Sequence, residues 1–375
     1  MRLIPLAAAL AAALPLVGSW SPAATAAEPS SGLKTRNVIL MMTDGLRWEE
    51  VFRGAEPELI SKKPGGVRDV EGIKKRFGQE TAQERRAALL PFITEVVAKQ
   101  GQLYGDDGEE SRVTNGKNFS YPGYSETFVG YGDPRIDSND HVNNPNVTVL
   151  EWLHGKDGYQ GKVAGFGAWD CFPYILNRER SGLKVRACWE PPVGDDLTPQ
   201  EILLGDLIEN THRLWSSCGY DSFTFNMALE NLKREKTRVT FIGLGETDEF
   251  AHGGQYDNYL TSANKFDHYV KTVWETVQSM PEYKDQTTLI LTTDHGRGGL
   301  PDGWRHHGAD VKGAERIWIG ILGPDTPPRG DSPLPQANQN QIAATLAAFL
   351  GEDYNAFQPK AGAVIQRALP QAEGR

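Results

Sequence analysis

Three apolar, β-favouring runs each stop at side chains able to hold a metal ion, and this repetition constrains the fold most. Val38–Met42 runs into Asp44-Gly45. Val239–Leu244 leads to Asp248 and, four residues on, His252. Leu289–Leu291 climbs through two threonines to Asp294-His295-Gly296. Short apolar runs bounded by turn residues read as buried strands. In open α/β sheets, ligands collect outside the carboxyl ends of the strands. If these strands are neighbours in one sheet, three carboxylates and two imidazoles converge on one edge.

The rest of the chain supplies the helices such a sheet needs. Tyr259, Ala263, Phe266, Val270, Val273, Val277 and Met280 recur at alternating spacings of four and three, an amphipathic helix. Helices are also expected over Thr81–Lys99, with Pro91 kinking it or starting a second segment, and over Val147–His154, Pro199–Ser216, Ser222–Arg234 and Gln341–Leu350. Strands are expected at Lys162–Phe166 and Ile317–Leu322. This alternation predicts an α/β fold with a central, largely parallel sheet flanked by helices. Two stretches read as insertions into a single domain over residues 28–375: about 53–118, polar and broken by KKPGG and GDDGEE, and about 167–200, irregular and aromatic-rich. No repeat or coiled coil specifies an oligomeric state.

Residues 1–27 have the pattern of a secretory leader: Arg2, an apolar run, then the small residues Ala23–Ala27. The protein is therefore expected to be exported to the periplasm or the medium, without a stable membrane anchor. The net charge of −10 argues against nucleic acid as a bulk partner. In an oxidising compartment Cys171 and Cys188 would staple one loop, leaving Cys218 free.

Taken singly, each site element has a bland explanation. Asp-Gly after a strand is commonly a turn, and Asp and His four apart are often a helix-surface pair. Together they create an electrostatic problem. Asp44, Asp248 and Asp294 in a partly dry cleft would repel one another, and two divalent cations would resolve it. The mix of imidazole and carboxylate suits zinc first and manganese second, over magnesium or calcium. Ser120, followed by Pro122, reads as the start of a helix, where positive potential favours a phosphoryl group.

These pieces resemble the alkaline phosphatase superfamily, and most closely its nucleotide pyrophosphatase/phosphodiesterase branch. The matching motifs are TDG at 43–45, SYPGYS at 120–125, D-x-x-x-H at 248–252, DHG at 294–296 and HG at 307–308. The resemblance implies one metal on Asp248, His252 and His307, and another on Asp44, Ser120, Asp294 and His295. It implies Ser120 as the nucleophile, with Ser125 the rival, and an asparagine after the helix that holds a substrate oxygen, Asn139 or else Asn143. The expected activity is hydrolysis of small phosphorylated substrates, mono- or diesters, through a phospho-serine. Phosphonate hydrolysis or phosphoryl transfer are alternatives within the superfamily, and a secreted metal- or phosphate-binding protein is the alternative outside enzymes. The sulfatase branch carries C/S-x-P-x-R at its nucleophile. Here the fifth position is Tyr124, which disfavours sulfate chemistry by that route. The mutase branch needs a dedicated domain that residues 131–236 are short for.

Two further features have competing readings. Trp169, Phe172, Tyr174 and Trp189, with Arg178, Arg180 and Arg186, could form a substrate wall, or the aromatics could pack under the loop while the arginines face water. Arg47 could touch phosphate or make a helix-surface ion pair.

Overall fold

The computed structural model describes residues 32–329 and 334–370; the leader expected over residues 1–27 lies outside them. Nine short strands form among the described residues: β1 Asn37–Thr43, β2 Gln102–Tyr104, β3 Ser111–Arg112, β4 Val163–Gly167, β5 Lys184–Ala187, β6 Val239–Leu244, β7 Thr287–Thr292, β8 Arg316–Ile317 and β9 Ile319–Leu322. Seven make the central sheet in the order β2-β9-β7-β1-β6-β4-β5, while β3 and β8 pair separately. β1 pairs in parallel with both β6 and β7, and β4 in parallel with β6 and β5. β9 alone runs against the rest, antiparallel to β7 and β2. The three strands whose ends carry Asp44, Asp248 and Asp294 are thus the adjacent central trio.

β1 explains why both faces of the sheet need cover. Ile39 and Met41 belong to one apolar core, and Val38, Leu40 and Met42 to the other. A strand buried on both sides reads as an unbroken apolar run. The helix Tyr256–Ser279 covers the first face, with Tyr259, Ala263, Phe266, Val270, Val273 and Val277 all buried. The helix Ser120–Val129 covers the second through Tyr121, Tyr124 and Phe128.

Several expectations are revised. The stretch about 167–200 is not only an irregular loop: Lys184–Ala187 forms the edge strand β5, and its alternating burial lets two charged residues face outward. Over Thr81–Lys99 a second segment does start after Pro91, as one of the two expected outcomes had it, but it opens with a wide turn over Ile93–Val97 rather than a regular helix like Ala82–Leu89. The Asp267 carboxylate accepts the Phe92 and Ile93 N–H groups where the second segment begins. The helix expected over Pro199–Ser216 ends at Asn210. Cys171 and Cys188 do not pair, because they lie in different cores. All three cysteines are free and buried. Among the described residues, no helix is long and apolar enough to cross a membrane.

Candidate metal centre

Two clusters of ligand-capable side chains form at the carboxyl edge of the sheet: Asp44, Asp294 and His295, and Asp248, His252 and His307. Within each, one potential ligand atom per residue lies within 4.8 Å of the others. The His295 and His307 rings stack at 3.9 Å, so the clusters adjoin. His306, the neighbour of His307, faces solvent.

In the first cluster the backbone and the core fix each ligand and leave one face of it free. The Tyr124 hydroxyl donates to Asp44 Oδ2 (3.3 Å), and the Gly45 N–H to Asp294 Oδ1 (3.1 Å). His295 Nδ1 sits 2.9 Å from the Gly296 carbonyl, to which it donates, directing Nε2 inward. The remaining oxygens, Asp44 Oδ1 and Asp294 Oδ2, are buried without any hydrogen bond. They lie 3.3 and 3.4 Å from His295 Nε2. Burying two carboxylate oxygens unsatisfied is costly, and a cation among the three atoms would satisfy them. Burial and then Asp44 push the Asp294 carboxyl well above its usual range. Burial opposes charge on His295, but Asp294 and Asp44 outweigh it and hold the imidazole up to about 9.

The second cluster is built from a helix and a loop. Asp248 and His252 share a face of the helix Glu246–His252. His307 Nδ1 lies 3.3 Å from the Asn118 carbonyl and can donate to it, which leaves Nε2 for a ligand. The two Nε2 atoms of His252 and His307 are 2.9 Å apart, with Asp248 oxygens 3.3 and 3.6 Å away. Burial foremost depresses both imidazoles; Asp44 opposes it at His252, and neighbouring cations add to it at both. Unprotonated imidazoles beside a carboxylate are the donor set a divalent transition metal requires. Both clusters therefore fit a metal ion.

Ser120 is the first residue of its helix, and its Oγ is 3.4 Å from His295 Nε2. The helix approaches this closely because of Gly123: a Cβ there would stand 2.3 Å from the Asp294 carbonyl oxygen. Asn139 Oδ1 accepts the Tyr121 N–H (3.0 Å), and its Nδ2 has no partner among the described residues. That bond consumes a helix-start donor and presents the asparagine amide in its place. Asn143 is separated from the centre and donates to Glu179. Ser125 is buried and accepts from Asn144, away from the ligands.

A cavity of about 150 Å³ opens over the centre, lined by Asp44, Ser120, Asn139, Trp169, Cys218, Gly245, Asp248 and Glu249. Burial and then Asp44 push Glu249 up to about 7. Of the aromatics weighed above, only Trp169 lines this cavity. Phe172 is buried, Tyr174 stacks on His141, and Trp189 packs on Tyr220. Arg178 and Arg180 are paired with Glu190 and Glu151, and Arg186 lines a different cavity. Arg47 makes a buried ion pair with Glu50 and does not reach the cavity.

Sequence reasoning missed Arg297. Fully buried, it donates to the Gly45 and Arg305 carbonyls (both 3.0 Å) and to the Asp248 carboxylate and carbonyl. It ties together the three segments that carry ligands, two loops and the helix Glu246–His252, and its cation adjoins Asp248. The signal was the unbroken DHGRGG run, in which the arginine directly follows the ligand motif.

The α/β sheet, mostly parallel and with two ligand-capable clusters at its carboxyl edge, is the alkaline phosphatase-like fold. A family model described as the metalloenzyme superfamily matches residues 221–308, the span holding Asp248, His252, Asp294, His295 and His307. Similar solved structures include a protein in the alkaline phosphatase superfamily from Vibrio parahaemolyticus (15% identity, 85% of this chain and 67% of that one, TM-score 0.50). A putative sulfatase from Bacteroides thetaiotaomicron aligns at 13% identity over 91% of this chain and 76% of that one, with TM-score 0.55. The lipoteichoic acid synthase LtaP of Listeria monocytogenes aligns at 11% over 87% and 74%, with TM-score 0.52. These likenesses establish the fold and stop short of the nucleotide pyrophosphatase/phosphodiesterase branch. No curated protein matches the chain.

Proposed function

We propose that the protein is an exported hydrolase of phosphoric esters, using two divalent cations and a phospho-serine intermediate on Ser120. The carrying observation is the position of the Ser120 hydroxyl, 3.4 Å from His295 Nε2, where its helix begins. Asp44, Asp294 and His295 would hold one cation together with Ser120, and Asp248, His252 and His307 the other; zinc is the first candidate and manganese the second. When bound, these cations would favour the serine alkoxide and offset charge on the phosphoryl oxygens.

The chain's own residues then set the reaction. Ser120 Oγ attacks phosphorus, forming an O–P bond as the bond to the leaving alcohol breaks. The Asn139 Nδ2 would donate to a non-bridging oxygen as charge develops there; its Oδ1, accepting the Tyr121 N–H, supports this role. Water subsequently cleaves the phospho-serine and releases phosphate or a phosphomonoester. Tyr124 supports phosphate over sulfate: it stands where the sulfatase pattern has arginine, and its hydroxyl is committed to Asp44. The leader pattern of residues 1–27 supports export.

Acid quenching during turnover of a ³²P-labelled phosphomonoester should leave label on the peptide containing Ser120. Ser120→Ala should lower kcat by roughly a thousandfold or more while both clusters keep their metal. An unlabelled wild type with a fast Ser120→Ala variant would overturn the nucleophile, and turnover of aryl sulfates alone would overturn the ester class.

A further inference from the structure

The cavity over the centre has two walls that hold no ligand group and have no partner of their own. Glu249 follows Asp248 on the helix Glu246–His252, and its carboxylate makes no hydrogen bond or ion pair with any described residue. Trp169 lies just beyond the end of β4, braced edge-on against Phe172 at 6.3 Å, and its indole N–H is likewise unpartnered among the described residues. Asp44, buried with its Oδ1 3.3 Å from His295 Nε2, adds a further carboxylate to the same lining.

The surroundings carry the same sign. The chain segments that supply Asn139 and Trp169 continue into a neighbouring groove of about 340 Å³, whose lining includes Asp170, Glu179 and Glu190. Its arginine, Arg178, is gripped by both oxygens of Glu190 at 2.9 Å, and His141 is bound to Asp170 at 3.1 Å. Neither lining offers an uncommitted lysine or arginine. The phosphoryl end of a substrate would meet the ligand clusters, whereas its alcohol end would meet a carboxylate, an indole and an acidic groove.

Resting on the phosphoric ester reading, we propose that this site selects esters whose alcohol carries a positive charge, with Glu249 and Trp169 receiving an ammonium group. A carboxylate neutralises such a group, and an aromatic face attracts it without competing for its charge. The same walls repel an alcohol bearing carboxylate or phosphate, so discrimination comes from repulsion as well as attraction.

A matched pair of probes isolates the charge. Phosphocholine and 3,3-dimethylbutyl phosphate have nearly the same shape and differ by nitrogen for carbon. Calorimetric titration of the zinc-loaded full chain at low salt should show the cationic ester binding about tenfold tighter. Glu249→Gln should erase that difference, and Glu249→Lys should turn the preference toward 2-phosphoglycolate. The inversion is a readout that mere loss of packing would not give. Equal affinities in the wild type, or a difference that survives in Glu249→Gln, would overturn the proposal. Turnover separates it from the reading beneath it. If both esters are cleaved with equal kcat/KM, the selectivity is wrong. If neither is cleaved although the binding preference persists, the phosphoric ester reading fails and the cation subsite stands.

Discussion

The Asp44/Asp294/His295 cluster and the Asp248/His252/His307 cluster lie side by side, yet the chain builds them in opposite ways. The first is suspended from the ends of two adjacent central strands, and Asp294 and His295 are wholly shielded from solvent. The second hangs on a seven-residue helix and a loop, and His252 keeps 44% of its side-chain exposure. In the first, buried negative charge exceeds what its hydrogen bonds can satisfy, so one imidazole is driven toward its cation. In the second, burial beside neighbouring cations drives the imidazoles toward neutrality. One cluster therefore stores repulsion that a metal would relieve, and the other presents lone pairs that a metal would find ready.

The largest effect should come from cutting into the sealed cluster. Asp294→Asn keeps an oxygen for the Gly45 N–H but removes a charge that burial and Asp44 both disfavour. The chelated variant should be more thermostable than the chelated wild type. It should nevertheless bind one metal fewer and lose roughly a thousandfold or more in kcat/KM. His252→Ala should also lose one metal, but with little change in chelated stability, since that ring is half exposed. Elemental analysis and calorimetry on both variants check the contrast; equal stability changes would erase it.

A smaller effect tests whether the clusters are independent. Arg297 reaches the Asp248 carboxylate and also the Gly45 carbonyl beside Asp44. Partners that orient a ligand typically contribute about 10–100-fold in metal affinity. Arg297→Lys keeps the charge but cannot span all three ligand-bearing segments. It should weaken zinc at the Asp248 cluster by about 10–100-fold while the Asp44 cluster stays near wild type, as read by competition with a chromophoric chelator. Equal weakening at both would make the arginine a tie for the whole edge.

Much of this was legible in the sequence because buried parallel strands leave unbroken apolar runs, and each run announced its end with an acidic residue. The six metal-capable side chains named from the sequence fall into two threes, and Ser120 and Asn139 lie beside them. What the sequence hid is long-range. KVRA looks like loop because an edge strand can turn charges outward, and three residues of β2 are too few to show a period. Cys171 and Cys188 are near in sequence, yet the sheet between the two cores keeps them apart. Glu249 is one residue past a ligand and Arg297 two, and only their surroundings distinguish a cavity wall from a buried clasp.

The smallest effect is the pH dependence of the chelated protein, and its two limbs separate the clusters by sign. His295 is held up to about 9, above the ordinary imidazole value of about 6.5. The folded state therefore binds that proton more tightly than the unfolded chain. The stability this contributes is full below about pH 6.5 and is lost as pH rises through about 9. Asp294, also raised, acts in the same direction from the carboxylate range upward. His252 and His307 are depressed, so the unfolded chain binds their protons better. Their contribution is present above about pH 6.5 and is lost as pH falls below it. Scanning calorimetry of chelated protein should give a Tm that is highest near neutrality and lower by roughly a few degrees at pH 5.5 and at pH 9.5. His295→Asn should shrink the alkaline limb and leave the acid limb, and His307→Asn should shrink the acid limb and leave the alkaline one. Zinc should also remove the alkaline limb, because a cation at His295 Nε2 replaces the proton whose loss produced it. A chelated wild type whose Tm stays level from pH 6.5 to 9.5 would mean that the buried carboxylates do not hold a proton on His295, and the contrast between the clusters would then be one of exposure rather than of charge.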